Sequence, residues 1–177
     1  MPKQETSSQY PWFAVRVKFR HEKAVSTALR MKGYVEFLPL RRGLQRHGNR
    51  YRSVDLPLFP TYVFCRFDPL DRLPILTTPG VFSIVGTAKT PVPVDEEELS
   101  AVRVMTASGV RTEPWPFLHV GDQAYIEEGP LRGIRGILQR SRNQNHLVIS
   151  ITLLQRSLAV EIDPSWISPS IQKTACA

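Results

Sequence analysis

The sequence predicts an α+β domain followed by a small all-β barrel, and three observations carry this prediction. Residues 12–19 alternate apolar and basic side chains with the two-residue period of a half-buried strand. Residues 21–34 place apolar side chains at the three- and four-residue spacing of an amphipathic helix. Residues 118–167 contain no helical stripe, and turn residues separate their short alternating segments, which is typical of a barrel.

The first domain is predicted over residues 10–106, after a polar, flexible N-terminus at 1–9. The helix that follows the first strand ends at Gly33, because glycine readily adopts the conformation that terminates helices. An extended segment at 34–42 then leads into an exposed hairpin or loop. The hairpin or loop, residues 41–52, contains five arginines, two glycines and no acidic residue.

The rest of this domain adds two strands and two helices. Strands are predicted at about 59–68 and at 81–85, with a short helix between them whose first turn accommodates Pro74. The last helix follows Asp95, which together with Glu98 resembles a capping box. Its apolar stripe comprises Leu99, Val102 and either Met105 or Thr106. The resulting order, β-α-β-β-α-β-α, predicts helices over a mostly antiparallel sheet.

The strand at 59–68 is apolar on both faces. A sheet that is covered on one side only needs a single apolar face. Alternation along the strand places two sets of residues on opposite faces. One set is Tyr62, Phe64 and Arg66, and the other is Val63, Cys65 and Phe67. We expect the second set to pack under the helices, so that the first set lies on a face that a partner covers.

A linker is predicted at 107–117, because two prolines and a glycine interrupt any periodicity there. The barrel domain follows at 118–167 and precedes a tail at 168–177. Within the barrel, three glycines are expected to shape a sharply bent strand pair that needs a positive φ or the absence of a Cβ atom. They are Gly129, Gly133 and Gly136.

Basic residues are concentrated in one part of the chain. The formal net charge is +7, and residues 16–52 hold eleven Lys and Arg against Glu22 and Glu36, a local balance of +9. Residues 118–167 hold five Arg against five acidic residues. This asymmetry favours a polyanion such as nucleic acid as partner of the first part, and a different partner for the barrel. A generic solvated surface is the alternative.

Neither enzyme chemistry nor a membrane is indicated. No cysteine or carboxylate stands at metal-ligand spacing from the four histidines, and no phosphate-binding glycine loop or nucleophile motif occurs. Cys65 and Cys176 are 111 positions apart, which fits neither a disulfide framework nor a metal motif. No signal peptide and no long apolar run is present. We therefore predict a cytoplasmic, non-enzymatic protein with no metal, no cofactor and no membrane association.

Three stretches of the sequence resemble the NusG family of transcription elongation factors. LFPTYVF (58–64) resembles the phenylalanine-proline-glycine-tyrosine strand of the family, with Thr61 where glycine is usual. Residues 80–102 resemble the closing strand, loop and last helix of its NGN domain, and residues 120–138 look like a KOW motif. The resemblance covers about residues 10–167, with both domains in the family's order. It implies an NGN domain, with helices flanking an antiparallel sheet, followed by an SH3-like KOW barrel.

The resemblance implies a bacterial elongation or antitermination factor that suppresses pausing or termination and acts as a monomer. Its first domain would dock an apolar cavity onto the clamp helices of the RNA polymerase β′ subunit, with the β gate loop as a further contact. The implied cavity residues are Phe59, Tyr62, Phe64, Phe82 and Ile84. Arg16 stands where the pattern of one specialised member has an aromatic residue.

Two further contacts follow from the resemblance. Basic residues would face the non-template DNA strand or nascent RNA, and a barrel loop would bind ribosomal protein NusE, termination factor Rho, or both. The nucleic-acid set is Lys18, Arg20, His21, Lys23, Arg41, Arg42, Arg46, Arg50 and Arg52. The barrel set is Leu153, Leu154 and Arg156. We expect one of the two adjacent leucines to be exposed, since both cannot face a small core.

Two alternatives stay open at this point. Thr61, the LFP at 58–60 and the FDP at 67–69 look more like an operon-specific paralogue than like the general housekeeping NusG. A KOW-containing RNA-binding or ribosome-associated module without polymerase contact is the alternative from another class. That module predicts a basic barrel, whereas the barrel charges here cancel.

Overall fold

The computed structural model describes residues 9–87, 90–117, 122–140 and 144–167, with the exception of the side chains of His47 and Asp122. The predicted N-terminus, apart from residue 9, and the predicted tail lie outside the described residues. The chain divides into two compact units, one of Met1–Leu40 with Phe59–Glu96 and one of Arg41–Leu58 with Glu97–Ala177. Within the described part, no helix is long and apolar enough to cross a membrane.

The first unit is built on a four-stranded antiparallel sheet with two flanking helices, which confirms the α+β prediction. Its strands and helices are β1 (Trp12–Val17), α1 (Glu22–Met31), β2 (Val35–Phe37), β5 (Tyr62–Arg66), α2 (Leu73–Leu76) and β6 (Val81–Ile84). Strand β1 lies between β5 and β6, and β2 pairs with the other side of β5. A short ribbon of β7 (Gly86–Thr87) and β8 (Thr90–Pro91) follows β6.

One face of this sheet forms the core of the unit. Val63, Cys65 and Phe67 are fully buried there, as their alternation with Tyr62 and Phe64 predicted. They pack with alternate residues of β1 and with the apolar stripe of α1. These partners are Phe13, Val15, Val17, Val25 and Leu29. Burying such side chains contributes about 1.5–3 kcal/mol each to stability, so this layer holds the sheet and the helix together.

Helix α1 ends where the sequence predicted. Gly33 adopts φ +84°, and its N–H donates to the carbonyl of Arg30 while the N–H of Tyr34 donates to that of Leu29. Glu36 of β2 ties the helix to the sheet, because its carboxylate accepts from the Ser26 hydroxyl (2.6 Å) and pairs with Arg30. The two backbone hydrogen bonds satisfy helix-terminal carbonyls that would otherwise lack partners.

A tight turn precedes β5. The N–H of Tyr62 donates to the carbonyl of Phe59 (3.1 Å), with Pro60 and Thr61 as the central residues. Thr61 has φ +71°, a conformation that this kind of turn requires at its third residue and that normally selects glycine. The N–H of Thr61 donates to a carboxylate oxygen of Glu22 (2.9 Å), a buried residue in the first turn of α1. The turn is therefore fixed to the helix despite the unfavourable residue.

The second unit contains an antiparallel hairpin and a long helix besides the barrel. The hairpin consists of β3 (Leu40–His47), whose first residue belongs to the first unit, and β4 (Arg50–Pro57). Gly48 has φ +62° in the two-residue loop, as tight hairpin turns require. Helix α3 (Glu96–Ala107) has a buried stripe at three of the predicted positions, Leu99, Val102 and Met105.

The barrel residues form a five-stranded antiparallel sheet, which confirms the all-β prediction for this region. Its strands are β9 (Thr112–Trp115), β10 (Asp122–Tyr125), β11 (Arg135–Arg140), β12 (Asn145–Ile151) and β13 (Arg156–Ile162). The order is β10-β11-β12-β13-β9. Short 3₁₀ turns at Thr152–Leu154 and Pro164–Trp166 follow β12 and β13.

Strand β9 corrects the sequence analysis, which assigned residues 107–117 to a linker. Thr112–Trp115 pairs with β13 instead, with Pro114 opposite Leu158. The linker was inferred from prolines, and proline is excluded only from the interior of a sheet. Because β9 lies at the end of the strand order, Pro114 is tolerated there. The grouping of residues 41–58 and 97–107 with the barrel residues also differs from the predicted domain boundaries.

The three barrel glycines occupy the positions that the sequence predicted to need them. Gly129 and Gly133 have φ +80° and +90°. A Cβ atom on Gly129 would lie 2.8 Å from the Trp166 ring, and one on Gly136 would lie 2.7 Å from the carbonyl oxygen of Val148. Gly129 and Gly136 therefore allow close approach of a ring and of a neighbouring backbone, whereas Gly133 is needed for its positive φ alone.

Candidate docking surfaces

An aromatic cluster covers the face of β5 that points away from the core. Phe64 is fully buried at its centre, with Phe59 packed edge-on (ring centroids 5.7 Å apart) and Phe37 stacked at 6.3 Å. Phe59 is buried as well. These two predicted docking residues therefore lie beneath the surface.

The exposed part of the same face is a row that runs across β5, β1 and β6. Arg16 of β1 lies opposite Tyr62 on one side and Ser83 on the other. Its guanidinium carbon lies 5.4 Å from the centre of the Phe82 ring, within the range of a cation–π contact. Tyr62 is half-buried, whereas Phe82 is 68% exposed. We call Tyr62, Arg16 and Phe82 the aromatic row.

Ile84, which the sequence analysis grouped with Phe82, does not lie on this face. It pairs with Val15 and packs against the core on the helix side. Two residues apart in a regular strand, Phe82 and Ile84 would share a face. The β1–β6 register shifts between Arg16 and Val17, and such an irregularity re-aims neighbouring side chains. Phe82 therefore lies near Arg16 while Ile84 remains with the core.

Trp12 and Arg66 complete the face and were missed as a pair. The Arg66 guanidinium carbon lies 4.9 Å from the Trp12 ring centre, and Arg66 donates to Glu96 (2.5 Å) and to the Tyr10 carbonyl (3.2 Å). The register pairing Trp12 with Arg66 could be derived only after β1 and β5 were known to be neighbours.

The basic residues of the strand–helix junction are all exposed. Lys18, Arg20, His21 and Lys23 surround a tight turn in which Arg20 has φ +64°. The His21 N–H donates to the Lys18 carbonyl, and the Lys18 N–H donates to the carbonyl of Gly80. Phe19 is 66% exposed, and the Arg20 guanidinium carbon lies 5.4 Å from its ring centre. The junction therefore exposes four basic side chains on a turn whose backbone is hydrogen-bonded.

The arginines of the hairpin belong to the second unit. Arg42, Arg46, Arg50 and Arg52 are exposed, and Arg41 is half-buried. Arg46 donates from Nε to the carbonyl of Gly48 (3.0 Å), which holds one guanidinium against the loop. Leu44 and Tyr51 are also exposed on these strands. The hairpin therefore combines cations with an aromatic ring, the combination that single-stranded nucleic acids bind.

The barrel loop with the predicted partner residues forms the turn Thr152–Leu154 and the start of β13. Leu153 and Leu154 are both half-buried, and Arg156 is exposed. Thr152 donates from its N–H (3.0 Å) and its hydroxyl (2.6 Å) to the two carboxylate oxygens of Glu98 in α3. Gln155 has φ +50°, so the backbone reverses sharply after the leucines. Glu98 thus ties the start of the loop to α3.

Groups that could carry chemistry are isolated in the described part of the chain. No three His, Cys, Asp or Glu residues lie close enough there to hold a metal ion. Burial raises the pKa of the Cys65 thiol well above its usual range, and the thiolate is the reactive form. The neighbouring carboxylate of Asp68 raises the pKa of Tyr10, whose hydroxyl donates to it at 3.2 Å.

Comparison with known proteins identifies relatives across both units. A family model described as transcription termination factor NusG matches residues 10–103. The transcription termination/antitermination protein NusG of Deinococcus radiodurans is 29% identical over 142 residues, which cover 70% of this chain and 74% of that protein. The Thermus thermophilus protein of the same name is 24% identical over 177 residues, covering 88% and 96%. A solved structure of Thermotoga maritima NusG, which concerns a domain interaction in that protein, shares the fold, with a TM-score of 0.55, 20% identity, and coverage of 92% of this chain and 98% of that one.

Proposed function

This chain belongs to the NusG family of transcription termination and antitermination factors, and from this premise we propose that it is an elongation or antitermination factor with two docking surfaces. Proteins of this family interact with RNA polymerase and are transcription factors rather than enzymes. The first unit would bind the clamp helices of the β′ subunit, and the barrel would recruit a second protein. Bridging the clamp would disfavour paused states of the polymerase.

The aromatic row carries the polymerase proposal. Phe82 and Tyr62 offer aromatic surface to solvent, and Arg16 adds a cation between them. Phe64, on the same face of β5 as Tyr62, is buried and packs edge-on against the buried Phe59. Aromatic and arginine side chains on a preorganised base are the usual energetic anchors of a protein interface. This surface suits the tip of a helical hairpin that presents apolar and acidic side chains.

The chain offers a matched pair of variants to test this docking. Phe82 and Phe19 are almost equally exposed, and each has an arginine 5.4 Å from its ring centre. We expect Phe82→Ala to weaken binding of the full chain to an isolated β′ clamp-helix fragment by roughly tenfold or more, measured by calorimetry. Phe19→Ala should leave this affinity unchanged, because Phe19 lies outside the row.

Equal effects of the two substitutions, or none, would refute the docking proposal. Phe64→Ala is unsuitable as the primary test. Removing a fully buried phenylalanine costs about 3–5 kcal/mol of stability, so lost binding would not distinguish docking from unfolding.

A nucleic-acid contact is proposed for the basic residues of both units. The four junction residues and the five hairpin arginines are the implied set, and all are exposed except the half-buried Arg41. Cations release condensed counterions from phosphates, which supplies affinity without sequence specificity. The proposed ligand is the non-template DNA strand or the nascent RNA. The exposed Tyr51 ring supports a single-stranded ligand over a duplex.

For the barrel we propose recruitment of ribosomal protein NusE or Rho through the loop that begins at Thr152. Leu153, Leu154 and Arg156 present two partly exposed apolar side chains beside an exposed cation. Pull-down of each candidate by the full chain, compared with Arg156→Ala, tests this contact. Unchanged capture of both proteins by the variant would refute the contribution of Arg156.

We further propose an operon-specific role rather than the general one. The support is Thr61, which adopts a glycine-like conformation at a position where glycine is usual in the family. Transcript profiling of a deletion strain tests this role. Changes confined to a few operons are expected, whereas changes across most transcription units would favour the general factor. A ribosome-associated module without polymerase contact would leave the clamp-helix fragment unbound.

A further inference from the structure

The ring of Phe19 is 66% exposed in the turn that joins β1 to α1, and the proposed polymerase and nucleic-acid contacts do not include it. A single exposed apolar residue is common on a protein surface and needs no explanation by itself. The surroundings of this ring are less common, because its neighbours in sequence are basic and exposed. They are Lys18, Arg20 and His21. The turn therefore combines a flat apolar surface with positive charge.

The turn holds Arg20 in a conformation that its own side chain disfavours. The His21 N–H donates to the Lys18 carbonyl (3.0 Å), so that Phe19 and Arg20 are the two central residues. Arg20 has φ +64° at the third position, where such turns normally select glycine. Its guanidinium carbon lies 5.4 Å from the centre of the Phe19 ring, within the range of a cation–π contact. Backbone strain of this kind is concentrated at binding sites, which marks this pair as a functional candidate.

The backbone of the turn is held by the segment that precedes β6. The Lys18 N–H donates to the carbonyl of Gly80 (2.8 Å). Gly80 also packs closely on the junction, since a Cβ atom there would lie 2.9 Å from a methyl carbon of Val25 and 3.2 Å from the Cβ of His21. The Nδ1 atom of His21 lies 3.1 Å from the Phe19 carbonyl oxygen. A ligand that contacts Phe19 thus meets an ordered turn, which lowers the entropic cost of binding.

The exposed charges around Phe19 have one sign. Glu22, the acidic residue of this stretch, is only 4% exposed, and its carboxylate accepts a hydrogen bond from the Thr61 N–H (2.9 Å). The exposed charged or basic side chains of residues 18–23 are those of Lys18, Arg20, His21 and Lys23. An anionic ligand therefore complements the surface that surrounds the ring.

We propose that Phe19 stacks on an unpaired base of a single-stranded nucleic acid whose phosphates contact the surrounding cations. This inference rests on the nucleic-acid contact proposed for the junction, and it adds the binding mode and an uncharged residue that carries it. A duplex keeps its base faces inside the stack, whereas a single strand exposes them to an aromatic ring. An acidic peptide would pair with the cations and leave the flat ring without a matching surface. Phe19 therefore distinguishes single strands from duplexes, which phosphate contacts alone do not.

The test measures binding of the full chain to a short single strand, made as DNA and as RNA, that carries the fluorescent base 2-aminopurine. Phe19→Ala should weaken the affinity about tenfold and abolish the quenching that stacking causes, for DNA, RNA or both. The slope of log affinity against log salt concentration should stay the same, because no cation is removed. Phe19→Trp should retain affinity and quenching. Leu73→Ala, which removes an apolar side chain of nearly equal exposure (67%), should change neither.

Salt-dependent binding that Phe19→Ala leaves unchanged would overturn the stacking, while the proposed nucleic-acid contact would stand. Absence of binding by the unaltered chain would overturn both. An equal loss of affinity for the single strand and for a duplex of the same sequence would also overturn the stacking. Binding of polyglutamate that is as tight, and that Phe19→Ala weakens equally, would identify an acidic protein segment as the ligand and overturn the proposal. Should Phe19→Ala fail to fold, Phe19→Leu decides, because it keeps an apolar side chain and removes the ring.

Discussion

At the scale of single residues, Thr61 has a conformation that disfavours its own side chain. A left-handed backbone costs a residue with a Cβ atom about 1–2 kcal/mol, and glycine avoids this at a smaller entropic cost. Thr61 makes hydrogen bonds through its backbone, donating to Glu22 and accepting from Val17. We therefore expect Thr61→Gly to raise the free energy of unfolding by about 0.5–1 kcal/mol, measured by denaturant unfolding.

The control for this prediction is Thr61→Ala. Alanine retains the Cβ atom and hence the strain, so its stability should stay close to that of the unaltered chain. A glycine variant that is no more stable than the alanine variant would contradict the strain, and an alanine variant that is less stable than the unaltered chain would show that the threonine side chain itself stabilises the turn.

Gly129 and Gly133 distinguish two reasons why a turn requires glycine, a positive φ and the lack of room for a Cβ atom. Both have positive φ, but only Gly129 approaches the Trp166 ring, while nothing lies within 4 Å of a Cβ on Gly133. Gly133→Ala should cost about 1 kcal/mol, and Gly129→Ala about 2–3 kcal/mol because a clash is added to the strain. Unfolding midpoints followed by circular dichroism measure both. Equal losses would show that the ring moves aside without cost.

Residue patterns in the sequence predicted which face of the sheet a side chain lies on better than they predicted whether that side chain is exposed. Alternation assigned Val63, Cys65 and Phe67 to the core correctly. It could not show that Phe64 is covered by Phe59 and Phe37, because those contacts join residues distant in sequence. Ile84 was misplaced because a register shift is a property of a strand pair, and no single strand records it.

At the scale of elements, the hairpin of β3 and β4 is a test of the nucleic-acid proposal. Each cation that neutralises a phosphate contributes about 0.7–0.9 to the slope of log affinity against log salt concentration. Replacing the exposed Arg46 and Arg50 together by alanine should lower this slope by roughly 1.5 for bubble DNA or single-stranded RNA, measured by fluorescence anisotropy across salt concentrations.

The matched control for the hairpin replaces Arg111 and Arg132, two exposed arginines outside it. The chain then loses the same total charge, so a general effect of net charge would appear equally in both double variants. Such equality would contradict the hairpin as the contact and leave only long-range attraction.

Element prediction succeeded where periodicity was strong and failed at β9. The helix stripes and the alternating barrel strands were recognisable because their burial follows a local period. Strand β9 contains Pro114 and pairs with residues more than forty positions away. Its strand character arises from the open edge of β13, a feature that sequence near residue 112 does not contain.

At the scale of the whole molecule, the charge distribution and the two units suggest separable contacts. We expect Phe82→Ala to lose polymerase binding while retaining capture of NusE or Rho. Arg156→Ala should retain polymerase binding and lose capture, since the two side chains belong to different compact units. Co-purification of each partner with each full-length variant measures this. Loss of both partners in either variant would contradict separable surfaces.

The order of elements along the chain was predictable, whereas their grouping was not. Sequence patterns indicated an α+β region and then a barrel, and the family match at residues 10–103 agrees with the first. The hairpin and α3 nevertheless group with the barrel residues. That grouping depends on long-range contacts such as the hydrogen bonds of Glu98 with Thr152, which leave no local pattern.

The buried thiol at the centre of the first sheet can report how often that sheet opens. Cys65 lies between Phe13 and Glu36 in the sheet register, is fully buried, and is held in the unreactive thiol form. An alkylating reagent can therefore reach it only when the sheet opens. Pulsed alkylation with peptide-resolved mass spectrometry would time the opening of the first unit alone.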